Sequence, residues 1–265
     1  MTVRHQQEPQ STPRIGRDLE QYFVDITACC PYGLPEKAVY HQALFGSLED
    51  TTMAILLANG YRRNGNCMYT MRCPDCSGCV PIRLDPENFT PNRNQRRVWR
   101  KNRDVSIGVA PLTMSDENLG LLDRFLRLRF PDGKATAESY YSGFFITSIT
   151  RCFELRYRLN ERLIGVAVVD ASDQWLNAVY FYFDPDLARR SPGTLNILHL
   201  VDFCRSHKIK HLYLGYWIEM VRAMQYKSAF KPHEILLDDH WQQMDRCFKA
   251  SPRHRKPAVS SRDGS

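Results

Sequence analysis

The hydrophobic pattern is most regular in the second half of the chain. Phe153, Leu155, Tyr157 and Leu159 alternate with Glu154, Arg156 and Arg158, the period of two expected of a strand with one covered and one wet face. Asn160-Glu161 turns the chain, and Leu163 to Val169 is almost continuously apolar, which predicts a strand buried on both faces. After Ala171-Ser172-Asp173, residues 174–183 read as a third, aromatic strand, so that 153–183 forms an antiparallel meander. Asp184-Pro185-Asp186 breaks it. Ile197, Leu200, Val201 and Cys204 then share one helical face, predicting a helix from about Thr194 to His207, and His211 to Tyr216 reads as a further strand.

The first half is less periodic. Leu44, Leu48, Met53, Ile55 and Leu56 suit one or two helices between Tyr40 and Asn59, with Asn59-Gly60 as the stop. Tyr61 to Thr70 and Val80 to Leu84 read as short strands around a Cys-rich turn, and the chain from Asn94 can be helical once past Pro91. Ser115 suits the N-cap of a helix through Phe130, with Leu119, Leu122, Leu126 and Phe130 as its stripe. A meander, a crossover helix and a further strand match the core of an α+β, acyl-CoA N-acetyltransferase-like (GNAT-like) fold. The expected organisation is a flexible arm over 1–18, an N-terminal Cys-containing and basic α+β subdomain over 19–108, a GNAT-like transferase domain over 109–250 and a disordered basic tail over 251–265.

Composition adds charge and thiols to this picture. The 265 residues are 43% hydrophobic, enough for a core, and carry a net charge of +7. Much of the excess lies in one run from Arg93 to Arg103, either a solvated helix face or a contact for a polyanion. The first nineteen residues are polar, with Pro9 and Pro13, and do not look like a secretory signal. No apolar run approaches a membrane span, so the expected setting is cytoplasmic and the nine Cys are expected to be reduced thiols or metal ligands.

Two segments bear on chemistry. Acyltransferases of the GNAT-like fold hold the CoA pyrophosphate on N–H groups at a glycine-rich helix start. Here Arg190-Ser191-Pro192-Gly193-Thr194-Leu195 puts Leu195 where a small residue is needed, and Pro192 removes a donor. A donor other than CoA is therefore expected. Cys73-Pro74-Asp75-Cys76-Ser77-Gly78-Cys79 spaces three thiols as a metal knuckle does, with Cys30 or Cys29 as fourth ligand. Zinc, an iron–sulfur cluster and three reduced thiols without metal all suit that spacing. Cys67, Cys152, Cys204 and Cys247 read as core residues.

Taken in order, a set of short motifs resembles the arginyl/leucyl-tRNA–protein transferases, and among them the short bacterial aspartate/glutamate leucyltransferases. The motifs are Cys30-Pro31-Tyr32, Gly60 to Asn66, Cys73 to Arg83 and Arg93 to Arg103, then Tyr182 to Asp186, Arg190 to Thr194, Tyr213 to Ile218 and Met224 to Glu234. The family's usual Lys before the Met of Met-x-Tyr-Lys is replaced by Ala223, with Arg222 beside it. The resemblance implies an aminoacyltransferase that conjugates Leu from Leu-tRNA to the N-terminal Asp or Glu of acceptor proteins, marking them for the N-end rule pathway. Arg-tRNA is the alternative donor, for which Glu219 would be the acidic group of the pocket. A non-catalytic, metal-regulated RNA-binding adaptor is the other reading.

No cofactor is expected for the chemistry. The attacking α-amine titrates at roughly 7.7–8.0 and the ester is activated, so alignment and charge stabilisation suffice. The resemblance makes Arg93, Arg96, Arg97, Arg100, Lys101 and Arg103 candidate tRNA contacts, with Trp99 either stacking on a base or packing inward. Lys227, Arg62 and Arg63 are candidate cations for the acceptor carboxylate, with a structural salt bridge as the other reading of Arg62 and Arg63; Tyr216, Trp217 and Tyr226 are candidate lining residues, with a buried core role as the other reading of Tyr216 and Trp217. Cys30, Cys73, Cys76 and Cys79 are the candidate metal ligands. His199 and His207 suit a helix surface or core.

Overall fold

A computed structural model describes residues 10–13 and 15–244. In chain order these form β1 (Gln10–Ser11), α1 (Arg17–Glu20), β2 (Val24–Cys29), β3 (Lys37–Leu44), α2 (Asp50–Ala58), β4 (Arg62–Asn64), β5 (Cys67–Met71) and β6 (Val80–Leu84). There follow α3 (Arg93–Lys101), β7 (Val105–Ala110), α4 (Asp116–Arg129), α5 (Ala137–Phe144), β8 (Cys152–Leu159), β9 (Arg162–Ala171) and β10 (Trp175–Phe183). The last described elements are α6 (Pro192–Ser206), β11 (His211–Trp217), α7 (Arg222–Gln225), β12 (His233–Leu237) and β13 (His240–Met244).

Nine strands make one large sheet in the order β1-β13-β12-β6-β11-β10-β9-β8-β7, and β2-β3-β5-β4 make a second. The large sheet is antiparallel except where β10 and β11 run parallel, joined by α6 as the crossover. Its centre is covered on both faces, which is why the apolar run of β9 does not alternate. Val166 and Val168 pack with Leu122, Phe125 and Tyr141 of α4 and α5, whereas Ala167 and Val169 pack with Leu200 and Val201 of α6. Farther along the α4 side, Trp175, Tyr213 and Trp241 bury Met53, Leu56, Leu57 and Met68, docking α2 and the small sheet. Burial of this many apolar side chains at about 1.5–3 kcal/mol each makes the joint between the sheets part of the core.

The meander, the crossover helix and β11 lie where the hydrophobic periods put them, though α6 begins at Pro192. Other expectations need correction. Between Tyr40 and Asn59 only Asp50–Ala58 is helical; Lys37–Leu44 is a strand, because β2 and β5 hydrogen-bond to its two edges and outweigh a weak helical pattern. Ser115 caps α4, accepting from the Asn118 amide, but Phe130 is the C-cap and exposed. Of the expected stripe Leu122 and Leu126 are buried and Leu119 packs beside them, with Leu121 and Phe125 completing the buried face. Residues 10–13 of the expected arm are tied down, since β1 pairs with β13. The boundary expected between 108 and 109 falls inside β7, which pairs with β8, and β6 from the first half sits between β12 and β11. The tail over 251–265 and Cys247 lie outside the described residues.

Candidate active site at a strand fork

Parallel β10 and β11 pair only at Trp175–His211, Leu176–Leu212 and Asn177–Tyr213. Past that point β10 follows β9, with a register shift at Ala178/Tyr180, and β11 follows β6, with a shift between Tyr213 and Tyr216. The two strands therefore diverge into a fork at their C-terminal ends, on the side where α6 begins. Gly215 sits in the β11 irregularity at φ +83°, a conformation L side chains rarely adopt.

Arg62, from β4 of the small sheet, enters this fork. Its Nη1 donates to Asn177 Oδ1 at 2.7 Å and its Nη2 to the Ala178 carbonyl at 2.8 Å, both on β10. On the other side it lies against Gly215, where a Cβ would stand 2.8 Å from Nη2. The phenols of Tyr69, Tyr216 and Tyr32 surround it, and among the described residues no carboxylate reaches ion-pair distance. Asp170 is one link away, accepting from Asn177 Nδ2 at 3.0 Å. Burial pulls the Arg62 pKa down, with the neighbouring phenols opposing, yet a guanidinium stays charged in proteins. Among the described residues, the fork thus contains a buried cation that no carboxylate touches directly. Burial holds the Tyr32 and Tyr216 phenols well above their ordinary value, so both are neutral donors.

Arg63 is placed differently. Its Nε and Nη2 each donate to Asp170 at 2.8 Å, Nη1 reaches the carbonyls of Gly65 and Phe145, and Nη2 also touches Cys152 Sγ. Both partners of this pair are fully buried, and no guanidinium nitrogen is left for a ligand. As a cation for the acceptor it is therefore corrected to a structural residue.

Lys227 Nζ donates to the carbonyls of Leu214 at 2.8 Å and Tyr216 at 2.9 Å, the two residues flanking Gly215. Burial, and then the positive Arg62, lower its pKa from 10.5 to about 7. In its neutral form, about half populated at that pH, the amine keeps two hydrogens for the two carbonyls and leaves a lone pair. The sign of the linkage is definite. Between about 7 and 10.5 the unfolded chain holds a proton that the folded one does not, so stability rises with pH across that window and the cost of charging Lys227 is fully present below it. Lys227→Met is expected to remove this rise; denaturant midpoints at pH 7 and 9 would show it, and an unchanged slope would contradict the assignment.

The other lining residues divide between the faces of β11. Tyr216 points to the small sheet, its hydroxyl 3.3 Å from the Gly60 carbonyl. Trp217 packs toward the α6 side with a buried Nε1 that has no hydrogen-bond partner. The Tyr226 ring lies on Gly193, the second residue of α6, where a Cβ would come within 3.2 Å of it. Burial raises Tyr226 to about 12. Arg190, the residue a CoA clamp would use, is instead held bidentately by Asp104 at 2.7 and 2.8 Å. Glu219 is exposed.

The basic run forms α3, held at both ends. Asn92 and Gln95 make a capping box and Gln95 donates to the Ala229 carbonyl; at the far end Lys101 donates to Arg189 and Asn102 to Arg190. Arg93, Arg96, Arg97, Arg100, Lys101 and Arg103 are all exposed. The His199 ring packs against Trp99 at a tilt of 34°, and His207 bonds its own helix.

Cys30, Cys73, Cys76 and Cys79 line one small cavity of about 30 Å³. Cys73 Sγ accepts from the Val39 amide and Cys76 Sγ from the Gly78 amide. Burial and the three neighbouring thiols push Cys79 up to about 12. Among the described residues, no three His, Cys, Asp or Glu are drawn together closely enough to hold a metal ion. Cys29, on β2, is exposed and does not line this cavity. Cys204 is buried as expected, whereas Cys67 and Cys152 are only half-buried.

Sequence reasoning missed Asn177, Gly215, Tyr69 and Asp170 and quoted Tyr32 without a role. Two signals were present: a lone Gly inside the apolar strand read at 211–216 marks a bulge or a close approach, and Asn177 is the one amide in the interior of an aromatic strand.

Comparison with known proteins gives a consistent relationship. The family model described as arginine-tRNA-protein transferase, N terminus, matches residues 28–97, and that described as arginine-tRNA-protein transferase, C terminus, matches residues 117–237. The aspartate/glutamate leucyltransferase of Marinobacter nauticus is 39% identical over 191 residues, covering 71% of this chain and 81% of that protein. The aspartate/glutamate leucyltransferase of Nitrosococcus oceani is 37% identical over 226 residues, covering 83% and 90%. Among solved structures, L-PGS from Bacillus licheniformis is similar with a TM-score of 0.40 and 13% identity, over 66% of this chain and 52% of that one.

Proposed function

The chain belongs to the aspartate/glutamate leucyltransferases of the arginine-tRNA-protein transferase family, and we propose that it joins leucine from leucyl-tRNA to the N-terminal Asp or Glu of acceptor proteins. The observation that carries the reading is Arg62, a buried guanidinium at a strand fork without a carboxylate of its own. A cation so placed favours an anionic ligand, because the ligand supplies the charge that the site lacks. An acceptor side-chain carboxylate is such a ligand, and a neutral N-terminus would leave the charge unmet.

The reaction needs little from the protein beyond placement. The acceptor amine attacks the ester carbonyl of the charged tRNA, a C–N bond forms, the ester C–O bond breaks, and the amine's proton ends on the released ribose hydroxyl. Arg62 fixes the acceptor through its carboxylate, which aligns the amine. Lys227, with its donors occupied and its lone pair available near neutral pH, is suited to take the amine's proton. The diverging parallel strands and the crossover helix support a GNAT-like core, in which such a fork is the acyl-transfer cleft. Leucine rather than arginine as the donated residue is supported by the phenol-lined fork and the exposed position of Glu219, and by the names of the relatives. Among the described residues no helix is long and apolar enough to cross a membrane, and the cytoplasm is the setting that suits a charged-tRNA substrate.

No cofactor enters these steps. Cys30, Cys73, Cys76 and Cys79 share one cavity with two N–H···S bonds, but among the described residues no three of them stand close enough to hold zinc or an iron–sulfur cluster, so no step is routed through a metal.

The test is to supply labelled Leu-tRNA and Arg-tRNA in parallel to peptides beginning with Asp, Glu, Lys or Ala. Leucine is expected on the Asp and Glu peptides alone. Arginine transfer would keep the mechanism and change the donor, and binding of tRNA without transfer would support the adaptor instead.

A further inference from the structure

Between α3 and α6 runs a groove of about 380 Å³, separate from the fork. Arg96, Trp99 and Arg100 form one wall, lying on one face of α3 at i, i+3 and i+4. Leu198, Asp202 and Arg205 form the other. Trp99 is 37% exposed, a large indole surface for a residue whose other contacts are fixed: its ring stands 4.3 Å from that of His199. Burial pushes His199 down to about 4, so this support is neutral. Among the described residues, the six cations from Arg93 to Arg103 form no ion pair with any carboxylate. Arg205, by contrast, is occupied by the carbonyls of Pro86 and Phe89. The anchors of α3 are also informative. One end bonds Ala229, in the turn that carries Tyr226 and Lys227, and the other bonds Arg189 and Arg190, just before Pro192 and Gly193. The groove therefore runs beside both segments that border the fork.

We infer that this groove is a stacking subsite for an unpaired nucleotide of the charged tRNA, with its base on Trp99 and its flanking phosphates on Arg96 and Arg100. The assignment rests on the leucyltransferase reading for the identity of the RNA. Charge complementarity fixes the orientation. Phosphates belong on the exposed cationic rim of α3, while the Asp202 carboxylate across the groove repels them and accepts from the N–H groups on a base edge. Paired RNA hides its base faces, so only an unpaired nucleotide satisfies the indole.

Trp99→Ala and Trp99→Phe would be compared in leucine transfer and in direct binding of uncharged tRNA. With Ala, KM for leucyl-tRNA and the tRNA dissociation constant are both expected to rise, by roughly 5- to 150-fold. Turnover and KM for the Asp peptide should stay within about twofold. Phe should restore most of the loss, because it keeps a stacking face. Arg96→Ala with Arg100→Ala should lower the slope of log K against log salt by roughly one to two. A short single-stranded RNA should compete with tRNA for the wild type and poorly for the Ala variant. Unchanged tRNA affinity in a folded Trp99→Ala protein would overturn the inference, as would a Phe variant no better than Ala. Because tRNA binding is measured without transfer, failure of the leucyltransferase reading would show as absent transfer with the Trp99 effect intact.

Discussion

Arg62→Met is expected to lower transfer to Asp and Glu acceptors by about 10²–10³-fold while the protein stays folded. The size follows from removing one partner of a buried charge pair in the complex, which costs about 2–5 kcal/mol. Folding should change less. The substitution leaves Asn177 Oδ1 and the Ala178 carbonyl without their donor, a cost of about 1–3 kcal/mol. It also removes a buried charge that no carboxylate balances, which offsets part of that cost. Gly215→Ala should act in the same direction without touching the guanidinium. A Cβ there would lie 2.8 Å from Nη2 at a backbone φ of +83°, so the guanidinium must shift from its bonds to Asn177 and Ala178 or the strained backbone must give. Kinetics for both variants beside their melting curves would separate lost chemistry from lost fold.

Asp170→Asn should do the reverse. Its carboxylate and the Arg63 guanidinium are both fully buried and joined by two bonds of 2.8 Å. Breaking such a pair leaves an uncompensated charge in the core and costs about 3–5 kcal/mol. At about 2–4 °C per kcal/mol for a domain near this size, the melting temperature should fall by about 6–20 °C. Replacing both partners together, Arg63→Met with Asp170→Leu, should cost less than the sum of the single changes. A single change that leaves the melting temperature unmoved would contradict the structural role.

Arg62 and Arg63 show where sequence reading stops. They are adjacent in one motif and chemically identical, and nothing local separates them. Their partners, Asn177 and Asp170, lie 115 and 107 residues away. Only the pairing of the sheets tells which Arg meets a carboxylate. The periodic elements were legible for the opposite reason: β8 to β11 and α6 advertise their burial through spacing alone, and both faces of β9 could be assigned from its unbroken apolar run. Strand β3 was hidden because its hydrogen bonds go to β2 and β5, and its mixed pattern of Ala38, Tyr40, His41 and Ala43 fits either period. The fork was invisible as a shape, yet its irregularity left a mark in Gly215. The failed CoA turn at 190–195 also has a physical counterpart, since Gly193 is occupied by the Tyr226 ring and Arg190 by Asp104.

The most direct test compares acceptor peptides that differ only by Asp or Asn at the first position, using leucyl-tRNA and both wild-type and Arg62→Met protein. If Arg62 reads the acceptor's charge, the wild type should prefer Asp over Asn by about 10²–10³-fold in kcat/KM, and the variant should treat the two nearly alike. A variant that still prefers Asp by the wild-type factor would contradict the account, because some other group would then be reading the carboxylate.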